Sequence, residues 1–249
     1  MAQFDNRGFA RAQVDASRTG AAAIDEGLRA YMITVYNYMA SGLVLTGIAA
    51  FATYMLAVSN GQLTQFGYLV YASPLKWVLF LAPLGFVFFL GARIGHMSVS
   101  AAQTTFWLFA AIMGISLSSI FLVYAHGSIA RVFFITAASF GALSLFGYTT
   151  RKDLSGWGSF LFMGLIGIII AMVVNLFLAS SALHFAISVI GVLVFAGLTA
   201  YDTQRIKEMY FEADGFEVAS RKAIMGALSL YLNFINMFMM LLSLFGNRE

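Results

Sequence analysis

Trp157 to Ala179 reads WGSFLFMGLIGIIIAMVVNLFLA, twenty-three residues without a charge. A helix rises 1.5 Å per residue, and the hydrocarbon core of a bilayer takes about 20 apolar residues to cross. This stretch is therefore long enough to span a membrane. Outward from it, comparable runs lie at roughly 33 to 58, 75 to 95, 104 to 125, 131 to 149, 182 to 201 and 224 to 245. The fold class predicted is an all-α membrane protein with seven transmembrane helices. Composition agrees, since 61% of the 249 residues are hydrophobic and 10% are charged, whereas soluble domains carry about 25% charged residues. A large soluble domain is excluded.

The chain divides into a polar tail, residues 1–30, expected to be flexible and cytoplasmic, and a seven-helix domain, residues 31–249. The first apolar run begins near Tyr31, too late and too long for a signal-peptide core of about 7 to 15 residues, so it reads as a retained helix. Most breaks between runs are short, as between antiparallel neighbours in a bundle. The exception is a charged stretch from Tyr201 to Ala223, read as a loop between the sixth and seventh helices. Small residues four apart, Gly91 with Gly95, Gly114 with Ser118 and Ala137 with Gly141, read as helix-packing contacts.

Cytoplasmic loops retain Lys and Arg, so the side that collects them is the inner one. With seven helices, Arg7, Arg11, Arg18, Arg29, Arg93, Arg151, Lys152, Arg205, Lys207, Arg221 and Lys222 fall on one side, while Lys76, Arg131 and Arg248 fall on the other. Eleven against three puts the N-terminus in the cytoplasm. The net charge of +3 is scattered between apolar runs rather than clustered, which points to membrane topology and not to nucleic acid. With no cysteine, thiolate zinc sites and thiol catalysis are excluded.

Ionisable groups at membrane depth are costly, so each is a functional candidate. Asp202 follows directly on the apolar stretch Val192 to Tyr201. Ser229, Asn233 and Asn236 on the seventh helix stand at i, i+4 and i+7, one polar stripe in an apolar run. His184, Ser188, Gly191, Phe195 and Asp202 form a similar stripe on the sixth, so the two faces could meet at a cleft. Ordinary interhelical hydrogen bonding is the competing explanation of the same stripes. Arg93 and His184, near helix ends, also read as interfacial anchors. A retinal site needs a lysine in mid-membrane, and Lys76, Lys152, Lys207 and Lys222 all lie at helix ends or in loops. A serine protease built from Ser116 and His184 is set aside, because His184 sits near the far surface.

Four segments resemble a known family. Ala200-Tyr201-Asp202-Thr203-Gln204-Arg205-Ile206-Lys207, followed by Ala227-Leu228-Ser229-Leu230-Tyr231-Leu232-Asn233-Phe234-Ile235-Asn236, looks like the end of a bacterial-type Bax inhibitor-1 family protein. Gly114 to Ile120 and Tyr148 to Leu154 are similar to its third-helix and fourth-loop signatures, and the likeness covers most of the chain after about residue 30. The resemblance implies a central seventh helix wrapped by the other six, and a pH-sensitive calcium leak. In family members studied as channels, aspartates on the sixth and seventh helices share a proton and an arginine on the second latches onto them. Asp202 matches the first aspartate, Arg93 is placed for the latch, and either Arg93 or Arg205 is expected to pair with Asp202. The second position is Asn233, an amide that cannot titrate but can hydrogen-bond Asp202 or offer a carbonyl oxygen to a cation.

The resulting expectation is a multi-pass protein of a bacterial inner membrane, not an enzyme and without a cofactor, with calcium as the transported ion. Its ion pathway or gate is assigned to Asp202, Asn233, Arg93, Asn236 and Ser229, with Asp202 and Asn233 as metal-contacting oxygens. Its partners are the lipid bilayer and, on the alternative reading, a membrane protein; no nucleic acid and no particular oligomeric state are implied. That alternative is a membrane-embedded regulator that binds a membrane protease or another protein and conducts nothing.

Overall fold

In hydrocarbon every backbone N–H and C=O must find its partner inside the protein, so an apolar run of spanning length becomes a helix. The computed structural model describes residues 6–248, with side chains described from Glu26 onward. Residues 1–30, expected as a flexible tail, thus fall mostly outside the described side chains. Among the described residues seven helices are long and apolar enough to cross a membrane. They are α1 (Asn6–Ala57, apolar from Glu26), α2 (Leu75–Arg93), α3 (Val99–Leu117), α4 (His126–Thr149), α5 (Ser155–Leu178), α6 (Ser181–Glu208) and α7 (Phe216–Phe245).

Local chemistry sets several of their ends. The Ser98 and Ser180 hydroxyls accept from the Ala101 and Leu183 amides at 3.3 Å, capping α3 and α6. After α1 the chain turns through Asn60 and Gly61, both at positive φ, so that Val58–Ser59 pairs antiparallel with Gln62–Leu63. Asn-Gly is the dipeptide such a turn favours. One turn of π-helix, Tyr68–Ala72, then leads into α2.

The sixth and seventh helices correct the sequence reading. The α6 helix runs on to Glu208 and α7 begins at Phe216, so the charged stretch Tyr201 to Ala223 is mostly helical and the connection shrinks to Met209–Gly215. Asp202 therefore lies within α6, nearly two turns before its end. Charge density marked a loop where two helices overhang their apolar segments. Lys222 holds this connection closed, its Nζ donating to Asp214 Oδ2 at 2.5 Å and to the Met209 carbonyl at 3.0 Å.

The core sits around α7. Of its most apolar window 61% is buried, against 11% to 33% for the other six. Its principal neighbours are α6, α1, α4 and α3, while α2 packs on α3 and α5 on α6 as an outer layer. This is narrower than the full wrapping by six that the resemblance implies. Tyr231 fixes the centre. Its ring lies edge-on to Phe106 and Phe109, with centroids 6.2 and 5.3 Å away. Its hydroxyl lies 2.7 Å from Thr46 Oγ1, which is 2.8 Å from the Ala110 carbonyl, so α7, α1 and α3 are tied at one point.

Close helix approach is confined to particular small residues. A Cβ at Gly114 would overlap the Thr46 carbonyl oxygen of α1, and one at Gly147 would overlap the Ala200 carbonyl oxygen of α6. At Gly91, Gly95 and Gly141, expected as packing contacts, a Cβ would meet nothing within 4 Å. Gly114→Val should thus force α1 and α3 apart and cost about 1–3 kcal/mol, the scale of overpacking, whereas Gly91→Ala should be neutral. Thermal unfolding in detergent checks this, and equal melting of the two variants would contradict the assignment.

Candidate functional site

The α6 and α7 helices run antiparallel in the most extensive helix pairing of the molecule, and polar residues meet at both of its ends. At the end near the α6 C-terminus Asp202 turns inward, only 8% exposed. A buried carboxylate is tolerated only with donors at its oxygens. Asn233 Nδ2 of α7, itself 5% exposed, donates to Asp202 Oδ2 at 2.8 Å. Arg205, one turn further along α6, approaches Asp202 Oδ1 at 3.2 Å. The Arg205 guanidinium also lies 5.8 Å from the Tyr201 ring centroid, so it is held from two sides.

Asp202, Asn233 and Arg205 line a cavity of about 480 Å³ between α5, α6 and α7, together with Ser229 and Asn236. On the α5 side the Tyr201 ring packs directly on Gly158, where a Cβ would run into it. The cavity extends inward to Phe195 and Leu165. The Asn236 amide donates to the Leu232 carbonyl one turn back at 2.8 Å, leaving its own carbonyl oxygen available.

At the opposite end of the same pairing, Ser243 Oγ lies 2.8 Å from His184 Nε2 and 3.0 Å from Ser188 Oγ. Between the two polar ends the interface is filled. Gly191 accepts Met240 so closely that a Cβ would stand 2.9 Å from Met240 Cγ, and Phe195 of α6 and Met237 of α7 are buried. The α6–α7 seam is thus polar, apolar, then polar along its length.

The structure brings Asp202, Asn233, Ser229 and Asn236 together around one cavity. Arg93 is not among them. It stands exposed at the end of α2, whose helical neighbour is α3, and the guanidinium on Asp202 belongs to Arg205. A partner three residues away on the same helix reaches the carboxylate without any movement of α2. Ser116 lines a separate cavity near Tyr71 and Trp77, and the His184 ring is bonded to Ser243. Among the described residues no three Asp, Glu, His or Cys side chains gather, so the oxygens around the Asp202 carboxylate are those of amide and hydroxyl groups.

One residue escaped the sequence reading. Gln204, 5% exposed, accepts from the Leu154 amide and donates to the Lys152 carbonyl, both at 2.8 Å, clamping the α4–α5 connection onto α6. A side-chain amide beside a buried carboxylate is the signal that could have drawn attention to it. Thr203 adds a second tie, its Oγ1 lying 2.9 Å from Ser144 Oγ of α4, which in turn lies 2.6 Å from Tyr36 Oη of α1.

A family profile described as "Inhibitor of apoptosis-promoting Bax1" matches residues 28–249. The chain belongs to the Bax inhibitor-1 family. Among family relatives, it is 48% identical to an uncharacterized protein of Caulobacter vibrioides, over 98% of this chain and 98% of the relative. It is 48% identical to an uncharacterized protein of Rickettsia prowazekii, over 90% and 92%. It is also 47% identical to the inner membrane protein YbhL of Escherichia coli, over 90% and 94%. The protein is an integral, multi-pass membrane protein of this family.

Replacing Asn233 by Leu removes a donor from a buried carboxylate without emptying the space. Stability in detergent should fall by about 1–3 kcal/mol, the penalty of an unmet buried polar group. Asn236→Leu, which breaks a bond only within its own helix, should change the melting temperature much less.

Proposed function

We propose that this protein is a calcium-permeable leak of the bacterial inner membrane, gated at Asp202 and Asn233. The observation that carries the reading is a single carboxylate, buried between α6 and α7 where the apolar part of α6 ends, facing a 480 Å³ cavity edged by hydroxyl and amide groups. A charge in that position is costly and is retained where a cation must be met. The eleven-to-three split of basic residues puts the N-terminus in the cytoplasm, so the cavity opens on the cytoplasmic side. The inner-membrane name of the Escherichia coli relative supports the location.

The gate works through competition for Asp202. In the closed state Arg205 and Asn233 occupy the carboxylate oxygens and the Met240 region fills the seam beyond. A cation drawn to Asp202 must displace Arg205, a half-exposed side chain free to swing into water. The carbonyl oxygens of Asn233 and Asn236 and the Ser229 hydroxyl then replace part of the ion's hydration. With few protein oxygens, calcium crosses still partly hydrated, as cargo.

Purified protein in liposomes loaded with a calcium indicator tests this. Asp202→Asn should abolish most of the flux, and Arg205→Gln should raise it. No flux from the native protein, or flux unchanged in Asp202→Asn, would overturn the reading. Asn233→Asp should make flux steeply pH-dependent near neutrality, because two adjacent carboxylates cannot both ionise without cost. Matching pH profiles for Asn233→Asp and the native protein would count against a proton-sensitive geometry at this place.

A further inference from the structure

A second cavity, of about 530 Å³, lies between α1 and α4, away from the α5–α7 cleft. That volume lies in the range of about 300–1,000 Å³ usual for small-molecule sites. It exists because α1 packs on α3 and α7, and α4 packs on α6 and α7, rather than on each other. Its walls are apolar, with Met32, Ile33, Phe140 and Leu145 among them. The polar groups within it are already satisfied, since Tyr36 Oη and Ser144 Oγ are bonded to each other at 2.6 Å. Such a groove suits a hydrocarbon chain.

Its rim is cationic. Arg29 lines the groove, one helical turn from the start of the apolar part of α1. Tyr148 closes the same end, and the Lys207 ammonium donates to the Tyr148 carbonyl at 2.9 Å and lies 5.7 Å from its ring centroid. Arg29 thus stands on the groove itself, with the Lys207 ammonium behind Tyr148 at the same end. Basic pockets between transmembrane helices are the form in which anionic headgroups are held.

We propose that this groove binds one anionic phospholipid of the surrounding bilayer, with an acyl chain between α1 and α4 and the phosphate at Arg29. The site bears on α6, because the Ser144 hydroxyl at its floor lies 2.9 Å from Thr203 Oγ1, and Thr203 follows Asp202 directly. The inference does not depend on calcium passage.

Native mass spectrometry of the detergent-purified protein, titrated with phosphatidylglycerol and phosphatidylcholine of identical chains, decides it. The native protein should retain one phosphatidylglycerol with a preference of about five-fold or more, the scale of one basic contact with anionic lipid. Arg29→Gln, at an exposed position, should keep its melting temperature and lose the preference. Gly141→Trp should occlude the groove, since a Cβ there meets nothing within 4 Å, and should lose the retained lipid. Equal retention of both lipids by the native protein, an unchanged preference in Arg29→Gln, or native-like retention by a folded Gly141→Trp would overturn the proposal. Should Gly141→Trp fail to fold, Arg29→Gln alone decides.

Discussion

A buried carboxylate must be met by donors, and the arrangement of α6 and α7 answers to that requirement at Asp202. Asn233 supplies one donor from the facing helix and Arg205 the other from the same helix. The two bonds differ in kind. The first crosses the interface and fixes the register of α7 against α6. The second reaches back from a side chain that is half in solvent, so it can be exchanged without moving a helix. Stability and lability therefore sit on opposite oxygens of one side chain.

That asymmetry follows from the amide at position 233. A second carboxylate there would need a shared proton to rest beside the first, and the register of α7 would then depend on pH. With an amide, the interhelical bond persists at any pH at which Asp202 can accept it. The pairing with Arg205 is the more exchangeable of the two, because that side chain is half in solvent.

The seven spans were legible because bilayer thickness imposes a length on each apolar run, and Trp157 to Ala179 satisfies it without ambiguity. The ends of α6 and α7 were not, because both helices continue beyond their apolar segments, where carboxylates and ammonium groups can reach water. The stripe of Ser229, Asn233 and Asn236 was legible from helical spacing, and the structure puts all three on the Asp202 cavity. The choice between Arg93 and Arg205 was not, since it depends on which helices are neighbours, and α2 proved to lie in the outer layer. Gln204 was hidden for another reason. Its partners are backbone groups of a connection some fifty residues away, and backbone atoms leave no mark in a sequence.

Gln204 has a mechanical consequence. It grips two consecutive stretches of the α4–α5 connection, while Thr203 beside it is joined through Ser144 to Tyr36. The segment of α6 that carries Asp202 is thereby harnessed to α1, α4 and the start of α5 at once. A turn of that segment sufficient to re-aim the carboxylate would strain all three attachments together. Motion at Asp202 would then be shared by much of one membrane face, and strain applied at that face would be felt at Asp202.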